Sequence, residues 1–329
     1  MRNDGRGSHL IGVTGGTGFV GQRLVARLSG EMPVRVLSSG ATPTPLKNVE
    51  YLVGDVRSTE IADRFARGCN AIVHLAGIAH TSLRTRAERE QSHSVNVEGT
   101  RTMLEAAIRN GVDRFVFVST AHVYAAQTGL NLEESSPVRA TGAYAETKIK
   151  AEECVRSAGE RGLKVVIARP CLIYGPGVRF NLERMMRAID VGYYFHLAGA
   201  NPLRSVVSVE NAARGLQHLA ANETPTGTYN LADESAIHLV DFVNDLAARM
   251  GRRRPRTISP SAIGFASAIG TVLQNLGIRF PLTREAIAKL TSDLSLSTKR
   301  LAETGFLWEY NDGQVRQQMV DYYLRAKRR

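Results

Sequence analysis

The chain reads as an α/β protein: a doubly wound parallel sheet followed by a smaller mixed α/β domain. Three observations predict this. Short apolar, β-branched runs alternate with helical periods through the first half. Those runs are apolar nearly throughout, as strands covered on both faces are. The composition, 43% hydrophobic and 22% charged in 329 residues, is that of a globular chain with ample core material. It excludes extended disorder, collagen-like repeats and heptad rods.

In order, Leu10–Val13 is a strand and Phe19–Leu28 a helix with one apolar face. Strands follow at Val34–Leu37, Tyr51–Val53, Ala71–Leu75 and Arg114–Ser119, with a helix over Val95–Arg109 before the last. A helix around Tyr144–Ser157 leads into a strand at Lys164–Arg169. Beyond Pro170 the pattern loosens: a turn cluster at Tyr174-Gly-Pro-Gly177, a strand at Ser205–Val209, a helix at Glu210–Ala221 and a strand at Gly227–Leu231. Val240–Met250, a basic turn, an uncharged stretch and a last helix from about Asp312 complete the chain. The expected division is a first domain over 8–170 with a return segment at 206–231, and a second built from 171–205 and 232–329.

Lysine and arginine number 42 against 31 acids, a formal charge of +11. The bases are dispersed among acids, which argues against nucleic acid. Only Arg252, Arg253, Arg254 and Arg256, and the tail Arg325, Lys327, Arg328 and Arg329, form runs. They read as solvated turn and tail, with a weak membrane-surface contact left open. Thr257–Ile278 is uncharged but interrupted by Pro260 and glycines, so it reads as a buried helix and not a membrane span. Cys69, Cys154 and Cys171 are too few and scattered for a disulfide framework or a metal cage. With a polar Met1–His9 that has no signal character, they point to a reduced, cytoplasmic compartment and to no metal.

Thr14-Gly-Gly-Thr-Gly-Phe-Val-Gly21 follows the first strand and opens the first helix. Gly15 permits the tight turn, Gly18 lets backbone approach a pyrophosphate, and Gly21 lets the helix pack on the sheet. The free amides at that helix start attract phosphate. This is a Rossmann-type dinucleotide site, with Phe19 and Val20 in its first turn. An NAD site usually carries an acid at the end of the second strand to hold the ribose. Here Ser38 and Ser39 stand there, nothing repels a 2′-phosphate, and the reading leans slightly to NADP over NAD. The direction of Arg35, inside the same strand, is left open.

Tyr144 and Lys148 lie four apart, on one helix face. An adjacent ammonium lowers a phenol's pKa, so Tyr144 is expected to exchange a proton with a substrate alcohol near neutral pH. Lys148 also suits the nicotinamide ribose. Upstream, Phe115-Val-Phe-Val-Ser-Thr120 is a buried strand ending in hydroxyls at the edge where such sheets collect ligands. That places Thr120 to share the substrate's hydroxyl with Tyr144.

With Gly54-Asp-Val56, Val73-His-Leu-Ala-Gly77, Ser119-Thr-Ala-His-Val-Tyr124 and Arg169-Pro-Cys-Leu-Ile-Tyr-Gly-Pro-Gly177 in order, the chain resembles the extended short-chain dehydrogenase/reductases, specifically the nucleotide-sugar epimerase/dehydratase branch typified by UDP-glucose 4-epimerase. The resemblance implies that Asp55 and Val56 contact adenine, that Leu75, Ala76 and Gly77 line the cofactor, and that Asn96 supports the same site. It implies Thr120, Tyr144 and Lys148 as the catalytic set. It further implies Asn181 and Leu182 at the start of a substrate-binding helix, and Arg204 on the diphosphate of a nucleotide sugar, with Lys289 or Arg284 as a second phosphate contact. His80 is a candidate substrate contact. Relatives pair through the helices at Val95–Arg109 and Tyr144–Ser157, which implies a homodimer.

Dehydratases of this branch carry Asp-Glu directly after the catalytic threonine, whereas this chain has Ala121-His122; that argues against 4,6-dehydration. Galactose-type epimerases often have lysine where Ala79 stands. The expected reaction is hydride transfer at sugar C4: a UDP-hexose-type 4-epimerase first, an NADP-dependent 4-ketoreductase or dehydrogenase second. A steroid or flavonoid alcohol dehydrogenase and a non-catalytic cofactor sensor are the remaining readings.

Overall fold

A computed structural model describes residues 9–40, 45–79, 85–126, 128–221, 223–259, 291–310 and 312–328. His80, Arg284, Lys289 and nearly all of the uncharged segment lie outside these residues.

Seven parallel strands form the main sheet: β1 (Ile11–Thr14), β2 (Val34–Ser38), β3 (Val49–Val53), β4 (Ala71–His74), β5 (Arg114–Val118), β7 (Lys164–Pro170) and β12 (Gly227–Leu231). Their order is β12-β7-β5-β4-β1-β2-β3. The order reverses between β1 and β4, the place where a doubly wound sheet opens a crevice at its carboxyl edge. Period-two alternation sends Val13, Val36, Val73, Val116 and Val166 into one core and Leu37, Ile72, Phe115, Phe117 and Ile167 into the other. Helices α1 (Phe19–Ser29) and α7 (Val209–Ala220) cover the first face; α2 (Thr59–Ala66), α4 (Gly99–Arg109) and α5 (Ala143–Glu160) cover the second.

The expected helix over Val95–Arg109 is interrupted. A helix α3 (Arg86–His93), closed at its start by a Thr85–Glu88 capping box, runs into a π-helical segment at Ser94–Glu98 before α4. Such segments concentrate at functional sites, and this one carries Asn96.

The remaining strands are short. β6 (Gly129–Leu132), β10 (Leu203–Arg204), β13 (Ile237–His238) and β15 (Leu294–Leu296) form a four-stranded sheet; β8 (Leu172–Tyr174) pairs with β11 (Val206–Ser208), and β9 (Phe195–Leu197) with β14 (Arg256–Ile258). A third core gathers α6 (Asn181–Asp190), α8 (Leu239–Arg249) and the last helix, Asp312–Lys327, through Met186, Phe242, Leu246 and Met319. No helix among the described residues is long and apolar enough to cross a membrane.

Candidate active site

The glycine turn is held by backbone. Gly15 N–H donates to Leu37 O at 3.0 Å and Gly18 N–H to Gly15 O at 2.9 Å. Gly15 has φ +67°, and a Cβ there would lie 2.8 Å from Ala76 N. A Cβ at Gly21 would sit 2.2 Å from Gly15 O. At Gly18 an added Cβ meets only Gly15 O, at 3.1 Å. Gly18 caps α1 with no side-chain bond, and the first turn carries no acid. The cradle is therefore shaped by missing side chains, and no side chain caps the start of α1, which fits a dinucleotide pyrophosphate. Phe19 and Val20 are half-buried just inside it.

At the end of β2, Ser38 is buried; its Oγ lies 3.0 Å from Thr17 Oγ1 and accepts from Gly40 N–H at 3.3 Å. Ser39 is exposed. Arg35, whose direction the sequence left open, points away: it donates to Glu50 at 2.7 Å and to the carbonyls of Phe65 and Arg67. It cannot serve a cofactor phosphate. Asp55 receives a fork from Arg57, and those bonds hold its carboxyl below the usual range. Val56 buries its side chain under Gly99.

Beneath the turn lies a polar chain that sequence reading did not single out. Ala76 N–H donates to Thr14 Oγ1 at 3.1 Å, and Thr14 Oγ1 lies 2.7 Å from His74 Nδ1. His74 Nε2 lies 3.1 Å from Thr100 Oγ1, which donates to Asn96 O at 2.7 Å. Because Thr100 has spent its proton on Asn96, it must accept from His74, which fixes the Nε2–H tautomer. Burial, reinforced by the charge of Lys148, pushes the imidazole down to about 3. His74 is a neutral strut.

Asn96 ties the loop after β4 to the catalytic helix. Its Oδ1 accepts from Ile78 N–H at 2.7 Å; its Nδ2 donates to Ile78 O and to Thr147 Oγ1 at 3.0 Å, and Thr147 in turn donates to Tyr144 O. Leu75 N–H bonds Thr14 O at 3.1 Å. A Cβ on Gly77 would lie 3.0 Å from Asn96 Oδ1 and 4.0 Å from Lys148 Nζ. Thr120 stands close enough to the Tyr144 phenol to oppose its upward shift, and its Oγ1 accepts from His122 N–H at 3.2 Å. The structure thus brings Gly77, Asn96, Thr120, Tyr144 and Lys148 together at the carboxyl edge of β4 and β5.

Burial pushes the phenol up to about 12, against the opposing Thr120 hydrogen bond, and the Lys148 charge is not what sets it. Lys148 is buried too; desolvation brings it down to about 8, opposed by Glu152. Its Nζ sits 4.3 Å from the Phe117 ring centroid. Spacing alone predicted attraction, and desolvation exceeds it.

Glu152, the next position on the same face of α5, was also missed. Its carboxylate accepts from Arg169 at 3.0 and 2.7 Å, from Ser119 Oγ at 2.6 Å and from Arg156 at 2.7 Å. Burial would raise it, but these donors prevail and hold it below the ordinary range. Arg169 also lies over the Tyr124 ring, 4.9 Å from its centroid.

The proposed substrate residues fare unevenly. Arg204 is half-buried in β10, lowered by burial against the charge of Asp293. Asn181 is exposed at the start of α6. Leu182, expected to bind substrate, turns its side chain into the third core at 3% exposure; the helix places that position inward.

Residues 11–232 match the family described as NAD dependent epimerase/dehydratase. The chain belongs to that family. It is 31% identical over 259 residues to a 3-beta-hydroxysteroid dehydrogenase of Mycolicibacterium neoaurum, covering 74% of this chain and 70% of that one. It is 23% identical to the N-acetyl-alpha-D-glucosaminyl-diphospho-ditrans,octacis-undecaprenol 4-epimerase of Escherichia coli O157:H7, over 95% of both chains. In fold it is similar to the dTDP-glucose 4,6-dehydratase of Streptomyces venezuelae with NAD bound: TM-score 0.76, 23% identity, 97% of this chain and 98% of the other. This is an NAD-dependent epimerase/dehydratase-type enzyme of the extended short-chain dehydrogenase/reductase class.

Proposed function

We propose that the enzyme moves hydride at a secondary carbinol, C4, of a nucleotide-diphosphate hexose, and that 4-epimerisation of a UDP-hexose-type substrate is its reaction. The observation that carries the chemistry is the convergence of Thr120, Tyr144 and Lys148 on one edge, beside the loop that Asn96 fixes. The glycine cradle and the first turn of α1 hold the pyrophosphate; Asp55 and the Val56 backbone meet the adenine; Leu75, Ala76 and Gly77 line the far half. When bound, the nicotinamide supplies a reversible hydride acceptor at the carbinol carbon.

Thr120 hydrogen-bonds the substrate oxygen and Tyr144 takes or returns its proton. A phenol near 12 in the unliganded site is a poor base at neutral pH, so charge brought by the oxidised cofactor, together with a protonated Lys148, must favour the phenolate. Lys148 near 8 keeps a substantial protonated fraction at neutral pH. Arg204 suits a diphosphate by its forked donors, and the diphosphate-linked hexosamine named for the Escherichia coli relative is a substrate of that chemistry.

A second reading, an NADP-dependent 4-ketoreductase, is favoured by Ser38, Ser39 and Ala79 and by the missing acid at the end of β2. One assay separates the two. Interconversion of a UDP-hexose pair by purified enzyme, with no added cofactor, supports epimerisation. A requirement for stoichiometric NADPH and a keto-sugar supports the ketoreductase and ends the first proposal. In either case Tyr144→Phe should cost about 10²–10⁴-fold in kcat while cofactor still binds; unaltered turnover would remove Tyr144 from the chemistry.

A further inference from the structure

The end of α6 is built around one buried acid. Asp190, whose side chain has no exposure, accepts from Arg252 at 2.9 Å, from Tyr323 Oη at 3.2 Å and from Lys327. It thereby gathers the basic turn after α8 and the last helix onto the end of α6. Directly after it, Val191 is 53% exposed, Tyr193 77% and Phe195 42%. Gly192 turns the chain at φ +78°, and both Tyr193 N–H and Tyr194 N–H close onto Ala188 O. Tyr194 stacks edge-on against His196, which bonds Asn244; their neighbours Tyr193 and Phe195 are left outward.

Scattered exposed apolar side chains need no explanation. Here three fall within one short turn, and the border is basic. Phe195 in β9 pairs with Arg256 in β14, and Arg252, Arg253, Arg254 and Arg256 are all exposed. Asp190 itself is already matched by two cations. From Thr257 onward the sequence carries no charge until Arg279.

We propose that this face docks on an anionic lipid bilayer, with Tyr193 and Phe195 entering the headgroup boundary while Arg253, Arg254 and Arg256 engage lipid phosphates. Amphipathic rings sit at that depth, and arginines beside them gain from the negative surface. A nucleic-acid partner would meet the same charge but gives no role to the protruding apolar turn.

The test uses the full chain and vesicles of phosphatidylcholine, with and without phosphatidylglycerol, in a sedimentation assay. The protein should pellet with the mixed vesicles and not with phosphatidylcholine alone, and should release as salt rises. Tyr193→Ser with Phe195→Ser, and separately Arg253→Gln with Arg254→Gln, should each weaken vesicle binding by roughly tenfold or more. Both variants should keep cofactor binding and turnover in vesicle-free buffer. Three results overturn the proposal: no binding to either vesicle, binding that neither variant weakens, or an aromatic variant that converts a dimer to a monomer and so makes this face a contact between copies.

Discussion

Replacing Glu152 by glutamine keeps the shape of the side chain and removes its charge. Arg169 would then remain, at 2% exposure, beside an acceptor with no charge. The native pair is a two-pronged fork at 3.0 and 2.7 Å with Ser119 on the same carboxylate. Breaking such a pair on one side costs about 3–5 kcal/mol, because it strands a desolvated ion. Against a total stability of roughly 5–15 kcal/mol, melting should fall by roughly 5–15 °C. Replacing both members, Glu152→Leu with Arg169→Met, should recover most of that loss, since well-packed apolar pairs substitute for buried ion pairs at little cost. Denaturant titrations of the parent, Glu152→Leu, Arg169→Met and the double variant give the coupling energy, expected near 2 kcal/mol or more. The glutamine variant carries a kinetic signature. Glu152 opposes the depression of Lys148, so its loss should move the alkaline limb of the kcat/KM profile to lower pH. A glutamine variant within about 1 kcal/mol of the parent, with additive single substitutions, would refute the reasoning.

Three further outcomes follow from the site. Gly21→Ala would push a Cβ to 2.2 Å from Gly15 O and should lower both melting temperature and cofactor affinity; Gly18→Ala, with one contact at 3.1 Å, should keep the fold while weakening NAD(P) binding at least about tenfold, and an unchanged fluorescence titration would contradict the pyrophosphate role. His74 lies near 3 in the folded chain against 6.5 unfolded. The unfolded chain therefore binds more protons between those values, so this group's stabilisation is complete above pH 6.5 and is lost as pH falls toward 3. A nitrogen–proton spectrum at pH 5 should show His74 as a neutral Nε2–H imidazole, and a protonated His74 would contradict the strut. Arg35→Ala should leave the ratio of NADP to NAD affinity unaltered, because Arg35 is committed to Glu50 and to the end of α2; a shifted ratio would show that it reaches the cofactor.

The main sheet was legible because each of its strands is a short apolar run bounded by polar punctuation, and burial on both faces leaves no other home for such runs. Seven of the short strands, β6, β8, β9, β10, β13, β14 and β15, went unread for the opposite reason: two to four residues hold too little periodicity to register. The π-helical segment was hidden as well, since Val95 and Val97 fit a continuing helix and only the backbone shows the change of winding. Within the site, the glycines announced themselves by position, whereas the upward push of burial on the Tyr144 phenol in the unliganded site did not. Spacing reveals that two side chains share a helix face and says nothing of how much water the fold removes from them. The same spacing held an unread signal: Tyr144, Lys148 and Glu152 repeat every four residues, and a second ionisable group on a face that must be buried needs a partner. Arg169, at the end of the next strand, is that partner.

The neutral chain through His74 explains why the two halves of the crevice keep a fixed relation. Thr14 ends β1 and bonds the Ala76 amide, so the glycine turn and the loop after β4 share one hydroxyl. His74 carries that link through Thr100 to Asn96, which holds Ile78 on one side and Thr147, one turn from Tyr144, on the other. Each link has its donor and acceptor assigned, and none is charged. A charged strut there would repel the Lys148 ammonium, as the sign of the Lys148 effect on His74 shows. Neutrality of His74 thus spares the Lys148 ammonium a second positive charge in the same buried space. Burial pushes His74, Lys148 and Tyr144 in one chemical sense, each toward its uncharged form; the buried carboxylate of Glu152 opposes it at Lys148, and under the proposed reaction the positive charge of a bound oxidised cofactor would have to oppose it at Tyr144.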